Sequence, residues 1–313
     1  MKYFSLIKEA WKDYDNSRKI LSITDISIKV STNHVYRIIL KDGSKIIVKI
    51  SDYGYVSNFS EDHSIINALS INLSYPFENF LAKSLTKNGK LYIYEKKVKN
   101  SPIWVVFYNP IRTDKRPTKK QSLKSIKNLG KELANFHLAC KNITKILPSK
   151  SKTFHEDIKF IKKNIFSKTY FHFDKSQKIE IIKHCDIFIK NTNKIINKKN
   201  LLPVFIDWNI GNFSVDKNYN FFSRWDYDWF RIGHRTLDFY FLSRVCSQQG
   251  DSTLFTYSPL PLMEKRFMNF LKSYHKIYPL KKNDFLLIPE MYRFFILNYV
   301  IKDGFRFFNK NIA

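Results

Sequence analysis

Glycine and proline are scarce in this 313-residue chain, 8 and 10 respectively, which argues against low-complexity linkers. No internal repeat is present. The three cysteines, Cys140, Cys185 and Cys246, show no metal-ligand spacing and form an odd set, so reduced thiols are expected. No segment supplies the roughly 18 uninterrupted apolar residues that a membrane span requires. The opening "MKYFSLIKEAWKDYDN" carries charges where a signal peptide needs an apolar core. A soluble, cytoplasmic protein without a membrane span is therefore expected. Acidic residues are also short, 27 Asp+Glu against 54 Lys+Arg, a formal charge of +27. Such an excess fits a nucleic-acid or anionic-membrane binder. The basic residues are scattered, however, and Lys, Asn and Ile are inflated together. That pattern reads as compositional bias, and no nucleic-acid partner is expected. "KKVKNS" and "TDKRPTKKQSLKSIK" remain as local basic patches.

What the chain has is hydrophobic content of 44% and aromatic content of 16%, enough for a sizeable core. Residues 26 to 50 read as three strands. The β-branched runs "VYRIIL" and "KIIVKI" flank Asp42-Gly43, a strong hairpin signal. "SEDHSIINAL" then has apolar residues at helical spacing, with Ser60 as N-cap. "KLYIYEKKV" and "IWVVFYN" complete a five-stranded antiparallel sheet with one inserted helix. From about residue 110 the pattern turns helical. "SLKSIKNLGKELANFHLAC" places Leu123, Ile126, Leu129, Leu133 and Phe136 on one face. "KIEIIKHCDIFIKNTNKIINK" and aromatic-rich C-terminal segments continue it. A small sheet lobe before a larger helical lobe is an α+β organisation, and a cleft between lobes is where a ligand is expected.

The stretch "VFIDWNIGNFSV" holds Asp207 and Asn212 five residues apart, and "SRWDYD" follows with Asp226. Phosphoryl transfer needs a carboxylate for the attacking hydroxyl and hard oxygen ligands for Mg²⁺. A β-hairpin with Asp and Asn as turn formers would use the same residues. Upstream, Lys49 lies on an otherwise apolar strand, where a surface lysine is the common case. The alternative is a cation for nucleotide phosphates, held by an acid on the next helix, Glu61 or Asp62. The order of strand Lys, helix acid, Asp-x4-Asn and Asp is that of kinases.

Several motifs together resemble the aminoglycoside phosphotransferase and choline kinase-like family, the small-molecule kinases with a protein-kinase-like fold. "STNHVYRI" is similar to that family's nucleotide loop, and "LGKELANFH" to its Leu-Gly-x-x-Leu-Ala-x-x-His helix. "FIDWNIGNF" stands where the family has His-Gly-Asp-x4-Asn. "WDYDWFRIGHRTLDF" resembles its Ile-Asp-x-Asp/Glu segment, and the match spans most of residues 26 to 245. The resemblance implies a nucleotide-binding lobe over 1–108 and a catalytic and substrate-binding lobe over 109–313. It implies ATP as cofactor, with GTP left open, and Mg²⁺. By position, Ser31 and Asn33 would belong to the nucleotide loop. Lys49 would contact the phosphates, braced by Glu61 or Asp62, and the backbone near Phe107 would recognise adenine. Asp207 would be the catalytic carboxylate, and Asn212 and Asp226 the metal ligands. Asp228 is a further candidate, and Asp238 would brace the loop. The chain departs from the family in carrying Phe205-Ile206 for His-Gly and in a nucleotide loop without glycine, which approaches phosphates less closely.

The implied function is phosphorylation of a hydroxyl on a small molecule such as a sugar or amino alcohol. The alternative is a catalytically silent kinase-like nucleotide-binding protein. Asp226 and Asp238 are only twelve positions apart, too few for an activation segment that docks a peptide. Because polycation sites need acidic linings and the chain is short of acids, a neutral or anionic acceptor is expected. A local acidic pocket would overturn that expectation. The buried-looking His137 and the Trp225, Trp229 and Phe230 group read as core.

Overall fold

The computed structural model describes residues 3–27, 33–98, 101–148, 152–167, 173–251 and 257–304. The chain begins with helix α1 (Phe4–Tyr14), which buries Leu6, Ile7, Ala10 and Trp11 against a sheet. Strands β1 (Ile20–Asp25), β2 (His34–Leu40) and β3 (Lys45–Ser51) lead to helix α2 (Val56–Asn72). A short hairpin, β4 (Thr86–Lys87) and β5 (Lys90–Leu91), precedes β6 (Ile93–Val98) and β7 (Ser101–Tyr108). The five-stranded sheet has the order β1-β2-β3-β7-β6 and is antiparallel throughout.

The Asp42-Gly43 hairpin forms as expected. Gly43 takes φ +80°, and the Asp42 carboxylate accepts from the Ser44 amide at 2.9 Å. Two expectations need correction. The first strand lies at Ile20–Asp25, ahead of the predicted run "ISIKV", whose residues 28–30 fall outside the described residues. Helix α2 starts at Val56 rather than after Ser60, because Val56 and Phe59 already pack on the core.

After β7 come α3 (Leu123–Ile143), α4 (Phe154–Asn164) and α5 (Lys175–Thr192). Ser122 caps α3 through the Ser125 amide, and capping boxes start α4 (Thr153 with Glu156) and α5 (Asp174 with Gln177). Two small antiparallel pairs follow. Strand β8 (Leu201–Val204) pairs with β11 (Arg231–His234), and β9 (Phe213–Val215) pairs with β10 (Phe221–Arg224). Then follow α6 (Phe239–Cys246), α7 (Leu260–Met263), α8 (Lys265–Ile277) and α9 (Lys282–Phe295), the last continuing as a π-helical turn, Ile296–Ile301.

One apolar core lies under α1 and the outer face of the sheet. A larger one joins α2 and Trp104, Val106 and Tyr108 of β7 to the helices that follow. The helical part is thus sealed against the inner face of the sheet. Segment 80–82 reinforces this join: Ala82 N–H donates to the Arg224 carbonyl at 3.0 Å and Arg224 N–H to the Phe80 carbonyl at 2.6 Å. Among the described residues no helix is long and apolar enough to cross a membrane.

Candidate active site

Two loops meet under the sheet. The first, 205–212, joins β8 to β9, and the second, 225–230, joins β10 to β11. Because β8 pairs with β11 and β9 with β10, both loops emerge at the same end. Strand β3 crosses above them and aims the buried Lys49 downward. Its Nζ donates to Asp226 Oδ1 at 3.1 Å and to Asp228 Oδ1 at 2.5 Å. Burial opposes a charge on Lys49, but the two carboxylates outweigh it and hold its pKa above the usual value. Asn33, at the head of β2, donates from Nδ2 to Asp228 Oδ2. Ser31 lies outside the described residues.

The helix acid expected to brace Lys49 is elsewhere. Among the described residues no ion pair joins Glu61 or Asp62 to Lys49. Asp62 faces Lys152 at 3.6 Å, and Glu61 is half-buried on the rim of the cavity described below. The turn of α2 nearer Lys49 carries His63 instead, whose Nε2 shares a hydrogen bond of 2.6 Å with the Tyr108 hydroxyl. Burial, and then the charge of Lys49, push the His63 pKa down to about 3. A neutral imidazole cannot replace a carboxylate, so Asp228 supplies the missing counter-charge.

Phe107 also departs from expectation. Its ring is fully buried against Trp11, Tyr14 and Tyr92, and its carbonyl accepts from Leu85 N–H at 2.8 Å. Strand β7 continues through Tyr108, so residue 107 lies within the sheet and its carbonyl is already engaged by Leu85.

The Asp207 loop is held from below. Asp238 Oδ1 accepts from Phe205 N–H at 3.0 Å and Ile206 N–H at 2.6 Å, while its Oδ2 meets His137 Nε2 at 3.0 Å. His137 is fully buried and also bonded to Tyr274, as a structural histidine should be. Ile206 has φ +63°, a left-handed conformation that a β-branched residue rarely adopts. The Asp207 N–H closes on the Phe205 carbonyl at 2.7 Å, completing a tight three-residue turn around it. On the far side, Asp251 Oδ2 accepts from Ile210 N–H at 2.9 Å. Asn212 reaches back with Nδ2 to the Asp207 carbonyl at 3.3 Å.

Arg224 and Asp251 were not legible as site residues. Arg224 is fully buried. Its Nη2 donates to the Asp207 carbonyl at 2.9 Å, and its guanidinium stacks 4.3 Å from the Trp208 ring centre and 4.9 Å from that of Phe205. Among the described residues its Nε and Nη1 have no hydrogen-bond partner. Phe205, standing where the resemblance places His, thus forms a platform for a cation. The Asp207 carboxyl is pushed up to about 7 by burial and by the charge of Asp226, with Arg224 opposing. This site carries more negative charge than Lys49 and Arg224 relieve, and Asp226, Asp228 and the Asn212 side chain offer hard oxygen donors.

Beside Asp228 opens a cavity of about 800 Å³, walled by α2, the start of α4 and the π-helical turn. Six carboxylates line it, Glu61, Asp62, Glu156, Asp157, Asp228 and Asp303, against three cations, Lys152, Arg231 and Lys302. Burial pushes the Asp62 carboxyl up to about 6, with Lys152 opposing. In a chain of charge +27, this is the local acidic pocket that composition did not show.

No protein-family model matches the chain, and no curated protein does. Solved structures do. An amicoumacin kinase in complex with AMP-PNP and Ca²⁺ superposes with TM-score 0.65 at 16% identity, covering 94% of this chain and 83% of that one. A microcompartment-associated aminopropanol kinase gives 0.63 at 14%, over 96% and 89%. A spectinomycin phosphotransferase in complex with ADP and spectinomycin gives 0.54 at 17%, over 98% and 89%. At these identities the likeness is one of fold: the chain has the kinase-like fold of small-molecule phosphotransferases.

Proposed function

We propose that this protein is an ATP- and Mg²⁺-dependent phosphotransferase that phosphorylates a hydroxyl of a small, amine-bearing molecule. Residues 1–108 would form the nucleotide lobe and 109–313 the catalytic and acceptor lobe. The observation that carries the reading is the convergence of Lys49, Asp207, Asn212, Asp226 and Asp228 from the sheet and two separate loops. Lys49 then receives nucleotide phosphates, with Asn33 from the loop above. Asn212 and Asp226 hold Mg²⁺, which when bound offsets the charge on the phosphates. Asp207, near pH 7 in its titration, orients the acceptor hydroxyl and takes its proton. The cavity beside Asp228 receives the amine-bearing end of the acceptor; Asp207 does not line it, so the hydroxyl reaches past Asp228 to Asp207. Its excess of carboxylates favours an amino alcohol or amino sugar over the neutral or anionic acceptor expected from composition.

The second reading, nucleotide binding without transfer, is favoured by one observation. Asn33, Lys49, Asp226 and Asp228 are bonded to one another, so a nucleotide must displace those contacts before it binds. A screen of Mg-ATP against amine-bearing and amine-free alcohols separates the two. ADP release that depends on an amino alcohol supports transfer, and thermal-shift binding without ADP release supports the silent protein. Failure to bind nucleotide at millimolar concentration ends both.

A further inference from the structure

On the face away from the cleft, α3 and α8 pack so closely that a Cβ on Gly130 would stand 2.4 Å from the Phe270 carbonyl oxygen. Over that seam runs a groove of about 490 Å³ lined by Lys124, Lys127, Lys131, Lys272 and Lys276. Its other three lining residues are neutral and polar, and no carboxylate is among them. Lys124 and Lys127 belong to the basic run "TDKRPTKKQSLKSIK", whereas Lys272 and Lys276 come from far along the chain. Folding therefore gathers charge that the sequence keeps apart. None of the five ammonium groups joins an ion pair or a hydrogen bond among the described residues, although the same chain pairs lysines elsewhere. On α3 they recur at i, i+3 and i+7, where like charges on one helix face repel by a few tenths of a kcal/mol each. A bound anion would relieve that repulsion.

We propose that this groove is a binding site for a small anion carrying several phosphate groups. At 1.5 Å per residue the lysine row on α3 is about 10 Å long, the reach of a few linked phosphates. That is short for the many backbone contacts on which nucleic-acid affinity depends. The ammonium groups act as mobile point charges, which suits clustered phosphates better than a single planar carboxylate.

The test is calorimetric titration of the full chain with inorganic tripolyphosphate, in EDTA and 150 mM-range salt so that the cleft metal does not contribute. The expected result is saturable binding that weakens at least about tenfold in the double variant Lys127→Glu/Lys272→Glu. A Lys127→Gln/Lys272→Gln pair should lose less, and a control, Lys8→Glu/Lys41→Glu, on exposed positions of the sheet region, should change affinity less than about twofold. Equal losses in groove and control variants would show diffuse attraction to net charge and overturn the site. So would unchanged affinity in the groove variants. Tighter groove-dependent binding of a 20-nucleotide RNA than of tripolyphosphate would overturn the small-anion class.

Discussion

The cavity beside Asp228 and the groove over α3 and α8 hold opposite charge within one chain. In the cavity, carboxylates outnumber cations and most have a partner at close range. Asp157 meets Arg231 at 2.7 Å, Asp303 meets Lys302 at 3.8 Å and Asp228 meets Lys49 at 2.5 Å. In the groove, five lysines face solvent unopposed. Net charge describes neither place. Buried pairs fix geometry, since removing one partner strands the other, whereas exposed like charges add repulsion and attract ions from solution.

The comparison breaks most sharply if the acidic side does no chemistry. Asp207→Ala should lower phosphoryl transfer about 10²–10⁴-fold with nucleotide binding retained, measured as ADP release against thermal-shift affinity. The next effect is on stability. Lys49→Met leaves Asp226 and Asp228 without their cation and should cost about 3 kcal/mol in denaturant unfolding, the scale for stripping one partner from a buried pair. A smaller effect concerns pH. The Asp62 carboxyl titrates near 6, so it is charged above that value and neutral below it. Affinity for an amine-bearing acceptor should therefore fall roughly fivefold as pH drops from 7.5 to 5, and Asp62→Asn should flatten that step. The smallest effect has the opposite sign to Lys49→Met. Lys127→Gln removes repulsion from Lys124 and Lys131 and should raise stability by about 0.5 kcal/mol at low salt, vanishing in molar NaCl.

Much of this was readable from the sequence, because local pattern governs it. The Asp42-Gly43 hairpin and the apolar stripe of α3 from Ile126 to Phe136 depend on spacing along a single segment, although Leu123, expected on that stripe, is exposed; the series Lys49, Asp207, Asn212 and Asp226 was read from its order along the chain. The resemblance implied a bracing role for Asp238, and its carboxylate accepts from the Phe205 and Ile206 amides. What was missed depends on packing between distant segments. Whether Glu61, Asp62 or His63 faces Lys49 turns on the rotation of α2, which its first buried residues set and a cap at Ser60 would have changed. Arg224 lies in "FFSR", where a strand-end arginine looks solvent-bound, and the Phe205 and Trp208 rings together with the Asp207 carbonyl make its burial tolerable. The acidic cavity draws its carboxylates from α2, α4, the 225–230 loop and Asp303 beyond the π-helical turn, so no window of sequence contains it.

The grip of Asp238 on the two amides before Asp207 has a consequence for how such loops diverge. Its oxygen holds peptide N–H groups, which every residue except proline provides. The turn is thus specified by a carboxylate more than thirty positions downstream, which holds Ile206 in a left-handed conformation that glycine would adopt at less cost. That hold lets Phe205 and Ile206 stand where the resemblance places His-Gly, with neighbouring rings and Arg224 accepting the new shape. In distant chains of this architecture, the far aspartate should persist as a marker after the residues adjoining the catalytic position have drifted beyond comparison.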